Sequence, residues 1–271
     1  MKIDIKKLIL IFFMLFFSVV IGFALYNIIL WKVENDKTKK HVEVINDIVE
    51  INEVLDNEMD INTVDSSLID SNDWYWKYIN VNLLDVNFKN LKEINADIVG
   101  WVNVSGTNIN YPFVQTKDNS FYLNHSIDKN YNSAGWVFLD YRNDVSSFDD
   151  NTVIYAHGRL DKSMFGSLRN ILSSDWMNDK NNHIVRVSTE YENSLWQVFS
   201  VYRVPTTNDY IKIDFDSVDS YQNFIDLVSN RSKYDFNTTV SIDDKILTLS
   251  TCYDDYEKVV LHAKLIKYAK K

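Results

Sequence analysis

Ile246-Leu247-Thr248-Leu249-Ser250-Thr251-Cys252 holds the chain's single cysteine and reads as a buried strand. Apolar and β-branched residues run up to the thiol, and an acidic turn, Asp254-Asp255, follows almost at once. The thiol therefore stands where a rigid strand hands over to a loop. Taken alone, a lone cysteine is ordinarily a small buried hydrophobe, so any chemistry depends on what the rest of the chain puts beside it.

The chain has 271 residues and a net charge of −10, enough for one large domain or two small ones. That charge argues against a nucleic-acid partner, since phosphate binding needs a basic face and none is evident in the sequence. Residues 8–31 form an uncharged apolar run, preceded by Lys2, Lys6 and Lys7, and roughly two dozen such residues cross a bilayer as a helix. A cleavable signal peptide has an apolar region about half as long and a small-residue cleavage site; nothing of that kind follows Ile28-Ile29-Leu30. The expectation is a single-pass anchor in the cell membrane, with residues 1–7 as a short cytoplasmic tail and the remainder on the extracellular face. Lys32, Lys37, Lys39 and Lys40 weaken the positive-inside asymmetry but leave this the simpler orientation. In an oxidising exterior one cysteine has no internal disulfide partner and is left as a free thiol.

Residues 32–73 read as a helical stalk and linker. Val42, Ile45, Ile48, Val49 and Leu55 recur at helical spacing to about Met59, and 60–73 is acidic and rich in Ser and Asn. The remainder, 74–271, reads as the main folded domain. A helix is expected around Phe88, Leu91 and Ile94, followed by strands at 98–104, 109–114, 135–139, 152–156, 183–187, 196–204, 246–250 and 259–266. Gly106-Thr107-Asn108 fits a hairpin turn between the first two. Eight short strands with few long helices predict a mainly β fold, a closed or nearly closed barrel. Two helical insertions interrupt it, one over 162–172 and one marked by Val218, Tyr221, Phe224, Ile225 and Val228 with Ser217 as its N-cap.

Five histidines are candidate bases for Cys252. His41 lies on the stalk and His183 follows Asn181-Asn182, which suggests surface roles for both. His262 sits mid-strand as a structural imidazole, and His125 lies in a loop. His157 ends the apolar strand Thr152-Val153-Ile154-Tyr155-Ala156, the same strand-end placement as Cys252. Two strand ends hold a thiol and an imidazole at a fixed separation better than two loops do. A thiol at its ordinary pKa of about 8.5 needs a cationic neighbour to become thiolate, and an imidazole can also protonate a leaving amine. No carboxylate or histidine cluster has metal-ligand spacing, and no cofactor is expected.

The segments Thr248-Leu249-Ser250-Thr251-Cys252 and Val259-Val260-Leu261-His262-Ala263-Lys264-Leu265 resemble the active-site signature of the sortases, and of their class B branch in particular. Ile98-Val99-Gly100-Trp101-Val102, Asn110-Tyr111-Pro112, Lys117-Asp118-Asn119, Tyr122-Leu123-Asn124-His125, and Tyr155-Ala156-His157-Gly158 through Ser163-Met164-Phe165-Gly166-Ser167-Leu168 match the same branch in the same order. The similarity runs from about Asn87 to the end. Any one motif is weak; the ordered set is specific.

The resemblance implies an eight-stranded sortase-type barrel and a membrane-anchored cysteine transpeptidase. By analogy Cys252 attacks the carbonyl after a Thr in a C-terminal sorting signal, forming an acyl-thioester, and His157 handles the protons of the departing and incoming amines. The implied partners are surface-protein sorting-signal peptides and a peptidoglycan precursor or cross-bridge amine. Asn119, Leu123, Tyr155, Thr206, Tyr210, Ile211 and Ser250 match family positions that line the substrate groove, although each also has an ordinary structural reading. The family carries an arginine on the strand after the cysteine, where this chain has Lys258, which keeps the charge but loses the planar fork. Lys258 is the preferred substitute, with Arg159 and Arg203 as other cations. Two further outcomes stand beside the transpeptidase: a thiol hydrolase of the same peptides, and a catalytically impaired sortase-like peptide-binding module.

Overall fold

A computed structural model describes residues 5–54, 61–64, 66–67, 69–253 and 256–271, apart from the Cys252 side chain. Helix α1 (Ile5–Ile48) leads the chain, followed by β1 (Glu50–Val54), β2 (Ile61–Thr63), the short α2 (Tyr75–Tyr78), β3 (Leu83–Asn87) and α3 (Lys89–Ile94). The β-rich part then runs β4 (Ile98–Val104), β5 (Asn110–Val114), β6 (Phe138–Leu139), β7 (Asn151–Tyr155), α4 (Ser174–Asn178), β8 (Ile184–Thr189), β9 (Glu192–Pro205), α5 (Val218–Asn230), β10 (Ile246–Cys252) and β11 (Glu257–Lys270).

Strand order β10-β7-β6-β5-β4-β8-β9-β11, with β11 pairing back onto β10, closes an eight-stranded barrel. The β10–β7 and β5–β6 pairs are parallel, and the others are antiparallel. Closure leaves no open edge along the barrel. Leu247 and Leu249 of β10 pack with Trp101, Trp136, Trp196 and Phe113 in the main core. Ile246 lies in a second cluster, beneath Tyr221, Phe224, Ile225 and Val228 of α5. Because α5 covers the outer face, β10 is buried on both sides, which is why it reads as a near-continuous apolar run instead of an alternation. Ser217 caps α5 by accepting a bond from the Ser220 amide. Gly106, at φ +70°, makes the β4–β5 turn, a conformation that side-chain-bearing residues rarely adopt.

The stalk departs from its sequence reading. The helix stops at Ile48, and β1 pairs antiparallel with β3. Val49 and Ile51 fit the period of a strand as well as a helical stripe, and pairing with β3 decides between them. Ile61–Thr63, expected in a linker, pairs with Lys267–Ala269 of β11; Leu55, Met59 and Asp60 lie outside the described residues. The first helical insertion is shorter than its pattern, a 3₁₀ segment from Gly166 to Leu172. Lys162 and Met164 take positive φ, 63° and 51°, and no α-helix propagates through such residues.

Candidate active site

Strand β7 ends at Tyr155, whose register partner on parallel β10 is Ser250. Two positions further along each chain stand His157 and Cys252. The Thr251 hydroxyl locks these strand ends by donating to the Ala156 carbonyl at 2.7 Å. On the other flank the Cys252 backbone faces Lys258 of β11. The Cys252 side chain and the acidic turn Asp254-Asp255 lie outside the described residues.

A cavity of about 300 Å³ opens over these strand ends. Its lining includes His157, Ser250, Thr251 and Lys258, and also Asn119, Leu123, Tyr155, Thr206, Tyr210 and Ile211. Apart from Cys252, every site residue named from sequence therefore borders one space. Sequence reading missed Phe138, Ala156, Thr207 and Asn208, which line it as well. They carry no chemical signature and are chosen by their place beside β7 and the β9–α5 connection. Lys258 is the only lysine or arginine among the described lining residues. Arg203 is instead paired with Glu257 at 3.2 Å, and Arg159 is bonded to Asn35 of α1.

One wall is the turn carrying Asn119 and Leu123. The Asp118 carboxylate fixes it by accepting from the Ser120 amide, the Ser120 hydroxyl and the Phe121 amide, which hold its pKa below the usual range. The turn presents the Leu123 carbonyl to His157, whose Nε2 lies 2.7 Å away. A carbonyl only accepts, so Nε2 carries a hydrogen and Nδ1 is the nitrogen left for proton exchange. The opposite wall is the β9–α5 connection. The Tyr210 hydroxyl meets the Ser250 hydroxyl at 3.0 Å, and the Thr206 amide donates to the Tyr256 carbonyl at 2.9 Å.

The other histidines are used structurally. His262 is fully buried between the Tyr202 hydroxyl and the Thr248 hydroxyl, each at 2.8 Å. Burial, and then the positive Arg231, push it down to about 3. His183, expected near the surface, is buried against the rings of Trp176 and Phe236, and its pKa falls to about 4, mainly through burial. The polar Asn181-Asn182 before it gave no sign of Phe236 arriving from a distant segment. His125 stacks on Phe121, and His41 bonds the Ser126 hydroxyl; neither lines the cavity.

The closed eight-stranded barrel thus brings the His157 imidazole and the Lys258 side chain to one cavity at the end of the strand that carries Cys252. Residues 102–270 match the sortase domain family. Sortase B of Staphylococcus aureus (strain NCTC 8325 / PS 47) is 36% identical over 184 residues, spanning 66% of this chain and 75% of that protein. Sortase B of Listeria monocytogenes serovar 1/2a is 37% identical over 186 residues, spanning 66% of this chain and 73% of that protein. The solved Staphylococcus aureus sortase B–substrate complex superposes with a TM-score of 0.62 at 36% identity, covering 66% of this chain and 84% of that one. The chain belongs to the sortase family, in its class B branch, and is a cysteine transpeptidase acting on C-terminal sorting signals. Helix α1, among the described residues the one helix long and apolar enough to cross a membrane, is exposed throughout 8–31 and makes this a single-pass membrane protein with its barrel on the extracellular face.

Proposed function

We propose that Cys252 is the nucleophile and His157 the acid–base group of a reaction that cuts a sorting signal after Thr and transfers the protein to a cell-wall amine. The Cys252 thiolate adds to the Thr carbonyl carbon, and the resulting oxyanion forms beside Lys258, a point charge in the arginine's place. Collapse breaks the peptide bond, His157 gives a proton to the departing amine, and an acyl-thioester remains. An incoming amine of a peptidoglycan precursor or cross-bridge then loses a proton to His157, attacks the thioester, and frees the thiol. Asn119, Leu123, Tyr155, Thr206, Tyr210, Ile211 and Ser250 act as the peptide groove.

The observation that supports this reading best is the convergence of His157, Ser250 and Lys258 on one cavity at the end of the strand bearing Cys252. The chain divides accordingly into a tail (1–7), a membrane anchor (8–31), a helical stalk and linker (32–73), whose strands β1 and β2 pair with β3 and β11, and the catalytic domain (74–271). Asn35, Thr38 and Ile45 of α1 are buried against that domain, which favours a stalk that holds the groove at a set height. Incubating the full chain in detergent micelles with a Pro-x-Thr peptide, with and without an amine acceptor, tests the reading. Peptide–amine conjugate formed in preference to free acid supports transfer. Free acid at every acceptor concentration makes the enzyme a thiol hydrolase, and no turnover by folded protein leaves a peptide-binding module.

A further inference from the structure

Asp140 follows β6 directly, and its side chain is wholly buried. Its main chain is pinned, the amide donating to the Val153 carbonyl at 2.9 Å and the carbonyl accepting from Gln115 Nε2 at 2.9 Å. The carboxylate gathers donors from both the turn and β7. Oδ2 accepts from Asn119 Nδ2 at 2.9 Å and from the Tyr155 hydroxyl at 2.9 Å. Arg142 closes a fork on the same group, with Nε to Oδ1 at 2.9 Å and Nη2 to Oδ2 at 2.8 Å, and its own amide adds a third bond at 3.0 Å.

Arg142 then reaches away from Asp140. The same Nη2 donates to the carbonyl of Ile211 at 3.0 Å, on the opposite wall of the cavity. One buried carboxylate thus ties together Asn119 of the first wall, Tyr155 of the floor and, through Arg142, Ile211 of the second wall. The Asn119 amide is further fixed because its Oδ1 accepts from the Tyr141 amide at 2.9 Å. Burial alone would raise the Asp140 pKa, yet it lies below the usual range, because the bonds from Arg142, Asn119 and Tyr155 outweigh desolvation. Burial and the adjoining carboxylate raise Tyr155, which keeps its phenol proton as a donor. A buried ion pair is a poor source of stability but a good source of fixed geometry, and this one lies under the groove and not in the barrel core.

We propose that Asp140 is a positioning residue for the transpeptidation, and that the Asp140–Arg142 pair sets the distance between the two groove walls and so the fit of the sorting peptide. The proposal rests on the reading of this cavity as the sorting-signal groove. Neither residue reacts with the peptide; each acts through Asn119, Tyr155 and Ile211.

The test measures binding of a fluorescein-labelled Pro-x-Thr peptide to the full chain in detergent micelles, in a Cys252→Ala background that stops chemistry. Steady-state kinetics are run in parallel on chains that retain Cys252. Arg142→Lys keeps the charge beside Asp140 but cannot grip the carboxylate with two nitrogens and also reach the Ile211 carbonyl. It is expected to weaken binding about 10-fold and raise KM about as much, with kcat within about twofold, the pattern of lost uniform binding. Asp140→Asn leaves Arg142 without its counter-charge and is expected to weaken binding about 30-fold or more. If Asp140→Asn fails to fold, Arg142→Lys carries the test alone. Folded variants that bind the peptide as tightly as the parent overturn the proposal, as do variants that lose only active fraction and melting temperature at unchanged KM. Parent protein that binds the peptide but turns nothing over counts against the reaction and leaves the binding comparison standing. Parent protein that binds no peptide overturns the groove reading, and the proposal with it.

Discussion

His157 follows and His262 lies within the two strands that flank β10, and their surroundings are opposite. His157 lies just past the end of β7, lines the cavity, and has one ring nitrogen held by the Leu123 carbonyl. His262 faces Thr248 across β10–β11, four positions deeper than Lys258, which faces Cys252; that is roughly 13 Å along the strand. The Thr248 hydroxyl donates to Asn151 Oδ1 at 2.6 Å, so it accepts from His262 Nδ1, and His262 Nε2 accepts from the Tyr202 hydroxyl. Both nitrogens of the deep imidazole are spent on the neutral form, and the positive Arg231 opposes a second proton. An imidazole near the nucleophile's strand is therefore not by that fact a base. Its depth along the strand decides.

The largest effect expected from this contrast is on His157. Replacing it by Ala should lower kcat/KM for peptide transfer by about 10³-fold while leaving the melting temperature within a few degrees, since no buried partner is orphaned. Continuous peptide-cleavage assays beside thermal melts check both halves. Near-parental turnover in His157→Ala would remove it from the mechanism.

On the opposite flank Lys258→Ala should slow acyl-enzyme formation by about 10²-fold, as expected for loss of charge beside a developing oxyanion. Lys258→Arg should restore most of that rate. Rapid-quench measurement of the thioester decides, and an unchanged rate in Lys258→Ala excludes the residue.

His262 should show the reverse pattern. His262→Ala leaves a cavity and strands the Tyr202 and Thr248 hydroxyls, a loss of about 2–4 kcal/mol in unfolding free energy, with kcat per folded molecule nearly unchanged. The pH dependence has a definite sign. The folded pKa of His262 lies at about 3, below its unfolded value of about 6.5. Its contribution is therefore fully present above pH 6.5 and is lost as pH falls toward 3, because the unfolded chain takes up the proton first. His183, at about 4, acts in the same direction. Denaturation midpoints from pH 7 to pH 4 should fall more steeply in the parent than in His262→Ala, and equal slopes would contradict the assignment.

The barrel was legible because its strands carry local period and turn signals, and α5 because Ser217 and its apolar stripe are both local. The site was legible as a set of strand ends and ordered motifs. What escaped was pairing between distant segments. Glu50–Val54 became a strand because β3 offered an edge, and His183 became buried because Phe236 covers it. Asp140 is the sharpest case. In sequence it is an acidic residue in a turn after Leu139 with Arg142 close by, and only the arrival of Asn119 and Tyr155 from other segments ties that pair to the groove.

The central claim is that the thiol at the end of β10 carries the acyl group, and intact-protein mass spectrometry addresses it most directly. Full-length protein mixed with a Pro-x-Thr peptide in the absence of an amine acceptor should gain the mass of the peptide's N-terminal acyl fragment. Peptide mapping should place that gain on Cys252, and Cys252→Ala should show none. An acyl adduct on any other residue, or one that persists in Cys252→Ala, would contradict the account.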